Sequence, residues 1–240
     1  NLVVPSRPRV LAWAAAAAAW VPPLRAQVNR PPLQIVGPWE IAGLAPASSG
    51  YVFTRMQIAQ TLMEANDDGT PQAGLADRWS VSDDGRSWRF ALRRGARFHD
   101  GTPVTATAVA HCLRLARVAP ALLSQAPIEA IDAEDAATVL IRLRLPYAGL
   151  RALLAHSSTM ILAPSSYAPD GAVRAIVGSG PYRVAKLTPP QHLDAVAFDD
   201  YDGPRPAIER VRYLAAGRSE TRALMAESGQ SDLAYGLDPA

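Results

Sequence analysis

At 240 residues, 49% of them hydrophobic and 19% charged, the chain has the composition of a globular protein with room for one large domain or two small ones. Its 24 basic and 22 acidic side chains nearly cancel, to a net charge of +2, and the arginines are scattered instead of gathered into a run, which gives no footing for nucleic-acid binding. The single cysteine, Cys112, excludes an internal disulfide and the paired-cysteine spacing of a structural zinc site.

In chain order, Arg7 and Arg9 precede an apolar run over 10–21, followed by Pro22-Pro23 and Leu24-Arg25-Ala26 ahead of Gln27. This is the layout of a secretory signal, expected over residues 1–27. About twelve apolar residues cover roughly 18 Å as a helix, short of a hydrocarbon core of ~30 Å, so no stable membrane insertion is expected. The other reading of this stretch is an N-terminal helix buried on a partner. Residues 33–36 read as a short strand, and 38–50 as an irregular loop rich in turn formers. From Val52, Met56, Ala59 and Met63 recur at helical spacing with Ile58 and Leu62 beside them, predicting a helix that runs to near Asn66, where Asp67-Asp68-Gly69 and Pro71 end it.

Residues 79–82 and 87–92 flank Asp83-Asp84-Gly85, and Trp88, Phe90 and Leu92 alternate with Arg89 and Arg93, which predicts a β-hairpin. After a second turn at Asp100-Gly101, Thr105 is placed to cap a helix with the apolar face Val109, Cys112, Leu113 and Ala116, ending before Pro120. Val139, Ile141, Leu143 and Leu145 alternate with Arg142 and Arg144 as a half-buried strand. A helix-like stretch over 150–155 leads into the polar run His156, Ser157, Ser158, Thr159 and Met160, ahead of apolar Ile161-Leu162. Gly178-Ser179-Gly180-Pro181 precedes strand-like stretches over 182–184 and 193–198, Val211 and Tyr213 mark another strand, and Ser219 is read as the cap of a helix that Gly229 ends. The mixture is α/β, without the regular alternation of a doubly wound sheet.

The chemistry-bearing motifs are sparse. The Gly178-Ser179-Gly180 stretch lacks the Lys-Ser/Thr of a phosphate-binding loop and the third glycine of a dinucleotide fingerprint, and reads as a crossover between subdomains. His99, His111, His156 and His192 show no metal-ligand spacing, so neither metal nor cofactor is expected. Trp79, Trp88 and Phe98 read as core, whereas Trp39 and Tyr51 flank a Pro/Gly/Ser loop after a strand, where an aromatic either faces solvent or lines a ligand cleft. The run from His156 to Met160 is polar beside apolar segments, and a ligand can supply part of the hydrogen bonding it needs. No GxSxG elbow and no HExxH occurs; a secreted hydrolase on an α/β scaffold is the alternative class.

The stretch GLADRWSVSDDGRSWRFALRRGARFHDGTPVTATAVAHCL, residues 74–113, resembles the signature region of family 5 extracellular solute-binding proteins, which include oligopeptide, dipeptide and nickel receptors. GSGPYRV (178–184) is similar to that family's second landmark, and PAIERVRYLAAGRSETRALMAESGQSDLAYG (206–236) to the segment after it. The resemblance implies a periplasmic-binding-protein-like fold of type II, cluster C. Residues 28–49 and 175–240 would form part of a larger mixed-sheet lobe, 50–174 a smaller α+β subdomain inserted into it, and the second lobe would be missing. It further implies a periplasmic receptor, not an enzyme, that delivers a peptide or a related small solute, chelated nickel included, to the membrane permease of an ABC importer. It places Ser49, Gly50, Tyr51, His156, Ser157, Ser158, Thr159 and Met160 at the ligand. Nickel receptors of the family are expected to carry arginine in the segment corresponding to 157–160; no basic residue stands there, so a peptide or a neutral to cationic solute fits at least as well.

Overall fold

Alternating side chains on either side of Asp84-Gly85 build the expected hairpin: β4 (Ala76–Val81) pairs antiparallel with β5 (Ser87–Leu92), and Gly85 takes a φ of 69°, which glycine adopts without steric cost. The computed structural model describes residues 31–118 and 120–237, so the expected export signal lies outside the described residues. β6 (Ile128–Ala133) and β7 (Thr138–Leu143) extend the hairpin into a four-stranded antiparallel sheet, order β4-β5-β7-β6. The helix expected after Thr105 is α2 (Ala106–Val118), and the Ala108 N–H donates to Thr105 Oγ1 at 3.3 Å. Its Val109, Cys112, Leu113 and Ala116 share one core with Trp88, Phe90, Val139 and Ile141 of the sheet. Each large apolar side chain so buried stabilises the fold by about 1.5–3 kcal/mol.

A second, five-stranded sheet has the order β11-β1-β10-β9-β8. β1 (Leu33–Gly37) runs parallel to both β10 (Arg210–Ala215) and β11 (Leu233–Ala234). β10 pairs antiparallel with β9 (His192–Ala197), and β9 with β8 (Tyr182–Thr188). The core on this sheet gathers Ile35, Phe53, Met160, Leu162, Leu193 and Tyr213. α4 (Ser219–Glu227) follows, one residue out of the expected frame: Arg218 holds the cap position and Ser219 opens the helix. Its buried Arg222 donates to the carbonyls of Ala216, Gly217, Tyr235 and Gly236, tying the ends of β10 and β11 together.

Two sequence expectations fail between these sheets. α1 (Pro46–Arg55) begins inside the expected loop, with Pro46 in its first turn, and stops at Arg55 instead of near Asn66. Gln57 takes a φ of 55°, the one non-glycine residue with positive φ among those described, and the N–H groups of Ile58 and Ala59 fold back onto the Phe53 carbonyl. Beyond this point the chain is extended: Gln60 bridges to Ile161, and β2 (Met63–Ala65) pairs with β3 (Pro71–Ala73). The apolar spacing misleads because the segment passes from one core to the other. Ile58 and Ala59 are buried with the five-stranded sheet, Leu62 and Met63 with the four-stranded one, so an extended chain is apolar on both sides. The expected subdomain boundary at residue 50 falls inside α1, whose Val52 and Phe53 pack into the core of the five-stranded sheet. Among the described residues no helix is long and apolar enough to cross a membrane.

Candidate functional site

The segment 57–60 is locked from behind by the Gly178-Ser179-Gly180 loop. The Gly180 N–H donates to the Ile58 carbonyl at 3.0 Å and the Tyr182 N–H to that of Gln57 at 3.2 Å. A Cβ on Gly178 would collide with the Ile58 carbonyl oxygen, and one on Gly180 with that of Gln57, so backbone meets backbone at a distance only glycine permits. His99 braces the same loop: its N–H donates to the Gly178 carbonyl at 2.9 Å and Nε2 lies 3.0 Å from the Gly180 carbonyl, with its ring edge-on to Phe198 at 4.9 Å. Burial pushes the His99 pKa down to about 4, Arg183 acting in the same direction and the Gly180 carbonyl and Asp100 against it. The imidazole is therefore neutral, and Nε2–H is the donor.

Arg93, just past β5, completes this junction. It pairs with Asp202 through Nε at 2.6 Å and Nη2 at 3.0 Å, donates from Nη1 to the Gly74 carbonyl at 2.9 Å, and from Nη2 to Gln60 Oε1 at 2.9 Å. Gln60 Oε1 also accepts from Ser179 Oγ at 3.2 Å. With both donors on its oxygen, the Gln60 amide is oriented, and its NH2 group is left for whatever lies in front.

What lies in front is an open cleft of about 750 Å³. α1 lends it Tyr51, Thr54 and Arg55, the extended segment Gln57, Gln60 and Thr61, and β2 Glu64. His156 and Ser157, after the short helix α3 (Leu150–Leu154), and Tyr201 add to the lining. Tyr51 is 39% exposed, its ring 4.6 Å from Trp39 and 5.5 Å from the Arg55 guanidinium, which stands equally far from Tyr235. Glu64 is the cleft's carboxylate. Burial raises its pKa above the usual range, with the Arg93 charge pulling the other way. Neither Glu64 nor Arg55 has a hydrogen-bonded or ion-paired partner among the described residues. No group of three His, Cys, Asp or Glu side chains gathers as a metal site among those residues.

Of the eight residues singled out in the sequence, Tyr51, His156 and Ser157 line this cleft. The other five stand behind its surface. Ser49 is buried, its Oγ accepting the Gly43 N–H at 3.2 Å, and Gly50 packs so closely on the Ser157 carbonyl that a Cβ there would collide. Ser158 is bonded to His156, through its N–H at 3.1 Å and its hydroxyl at 2.8 Å from Nδ1. Thr159 Oγ1 donates to the carbonyls of His156 and Leu153, and Met160 is fully buried in the core. Ser158 and Thr159 thus meet their hydrogen-bond needs within the chain, where the sequence allowed a ligand to supply part of them. Arg55, Gln60, Glu64 and Tyr201 were missed; the first three fell in or beside the stretch read as a continuous helix.

Residues 70–240 match the family model for bacterial extracellular solute-binding proteins, family 5 (middle). A probable D,D-dipeptide-binding periplasmic protein of Escherichia coli (strain K12) is 33% identical over 196 residues, covering 74% of this chain and 37% of the relative. The nickel-binding periplasmic protein of the same strain is 27% identical over 194 residues, 77% of this chain and 37% of its own. A crystal structure of a nickel ABC transporter from Bacillus halodurans superposes with a TM-score of 0.76 at 26% identity, over 85% of this chain and 42% of that one. The chain spans little more than a third of the length of the curated relatives it matches.

Proposed function

The chain belongs to the bacterial extracellular solute-binding proteins of family 5, and from that premise we propose that it forms the solute-binding wall of a periplasmic receptor serving an ABC importer. The observation that carries this reading is the cleft: a polar concavity beside an exposed aromatic ring, in which a carboxylate and a guanidinium have no hydrogen-bonded or ion-paired partner among the described residues and an amide is oriented through its oxygen alone, backed by a junction held by backbone hydrogen bonds and the Arg93–Asp202 pair. In the proposed architecture the five-stranded sheet is part of the larger lobe and the four-stranded sheet the inserted subdomain. A facing lobe in the whole protein closes on the solute by a hinge and excludes water. Export to the periplasm through the signal at 1–27, and delivery to a membrane permease, belong to the same proposal. The family match supports a receptor over a secreted hydrolase.

For the solute we favour a short peptide or a related amino-acid derivative over chelated nickel. A metal chelate carries several carboxylates that call for more than one arginine; the turn from Ser157 to Met160 supplies none, and Arg55 is the one arginine among the cleft's lining residues. The test is a melting screen of the protein expressed from its complete gene, against peptides, chelated nickel and opine-like acids. A solute at 100 times its Kd stabilises the native state by about 2.7 kcal/mol, so one class should raise Tm by several degrees in a saturable way. A flat response to all three classes would refute the receptor.

A further inference from the structure

We infer that Glu64 is the subsite for a cationic amino group of the solute, and that Arg55 receives an anionic group from another part of the same cleft, so that the site selects zwitterions. This rests on the receptor reading proposed above.

Glu64 leaves β2 into the cleft, half-buried and without a donor among the described residues. Arg93 is close enough to stabilise its charge, but that guanidinium is held by Asp202, Gly74 and Gln60. Glu64 therefore has a favourable field and no bond. A carboxylate taken partly out of water with no donor of its own is costly, and an incoming ammonium, which brings charge and three N–H donors, offsets that cost better than a neutral amide or hydroxyl. Gln60 cannot serve as the acceptor, because its Oε1 already takes bonds from Arg93 and Ser179. Thr61, whose hydroxyl donates to the Met63 carbonyl at 2.5 Å, keeps only a neutral oxygen to offer, a weaker acceptor for a cation than a carboxylate. Glu64 is the strong acceptor on this part of the wall.

Arg55 shows the complementary arrangement. Its guanidinium stands 5.5 Å from the ring centres of both Tyr51 and Tyr235, and no carboxylate pairs with it among the described residues. Stacking on aromatic faces engages the plane of the group and leaves its edge N–H donors in the geometry that grips a carboxylate with two bonds. In the same cleft the Gln60 NH2 group can serve a carbonyl. An amine, a carbonyl and a carboxylate are the polar groups of a short peptide with free termini.

Calorimetry on the protein from its complete gene tests this with three probes: L-Ala-L-Ala, its N-acetyl form and its C-terminal amide. In the wild type, acetylation should weaken binding at least about tenfold, as should amidation, by loss of one charge-assisted contact each. Glu64→Gln should reduce the acetylation penalty to under about threefold and leave the amidation penalty standing; Arg55→Gln should do the reverse. An acetylation penalty in Glu64→Gln equal to that of the wild type overturns the assignment and leaves the receptor intact. A wild type that binds only amine-free solutes of the melting screen overturns it in the same way. Silence of the wild type toward every solute class overturns the receptor reading itself, and this inference with it.

Discussion

Residues 55–64 are one short stretch of chain with two opposite surroundings. On the junction side the carbonyls of Gln57 and Ile58 accept the N–H groups of Tyr182 and Gly180, and Gln60 Oε1 takes two donors. On the cleft side the Arg55 guanidinium, the Gln60 NH2 group and the Glu64 carboxylate have no hydrogen-bonded or ion-paired partner among the described residues. The first set is what holding two sheets together requires; the second is what remains once the fold is satisfied, and leftover polar groups in a concavity mark where a ligand completes the bonding. Changes at the junction should therefore act on stability, and changes at the cleft on binding.

The largest effect is expected from Gly180→Val, which drives a side chain into the Gln57 and Ile58 backbone where nothing soft can yield. Urea unfolding should show a loss of roughly 3 kcal/mol or more, as a lower midpoint at unchanged slope. A midpoint within error of the wild type would dissolve the contrast between the two sides. Next is the response to acid. The unfolded imidazole of His99 protonates near pH 6.5 and the folded one only near 4, so between these values the unfolded state binds more protons. Stability should fall as pH drops through that window, by about 3 kcal/mol for the whole shift, and His99→Phe should flatten that part of the profile. Smaller again is Arg93→Met, which strands Asp202 and frees Gln60; the expected loss is about 2 kcal/mol, given that both partners of the pair keep some access to solvent. Smallest is Tyr51→Ala, whose exposed ring should cost under about 1 kcal/mol of stability.

Sequence pattern revealed the elements whose causes are local. The β4–β5 hairpin is written in Asp84-Gly85 and the alternation after it, and α2 in Thr105 and its apolar stripe. Strand β6 escaped because its pairing with β7 slips between Ile128 and Ala130, which breaks the period of two that would have announced it. The run from Val52 to Met63 was misread because burial in two different cores imitates a helical face. That error carried into the site. Gln60 and Glu64 fell unremarked within the expected helix, and only the extended path beyond Gln57 brings them to the cleft beside Tyr51. The polar run after His156 was noticed for its composition, but whether each hydroxyl points inward or outward is set by a single turn: Ser157 lines the cleft while Ser158 closes on the His156 ring and Thr159 on the carbonyls of Leu153 and His156.

The central claim is that this cleft is a solute-binding wall separable from the scaffold behind it. Its most direct test is calorimetric titration of the protein from its complete gene, with the solute that raises its Tm, on wild type, Tyr51→Ala and Ser157→Arg, alongside urea unfolding of the same samples. We predict binding weakened by about 1–3 kcal/mol in both variants, with unfolding midpoints close to the wild type. Unchanged affinity in both variants, or affinity lost only in step with stability, would contradict the account.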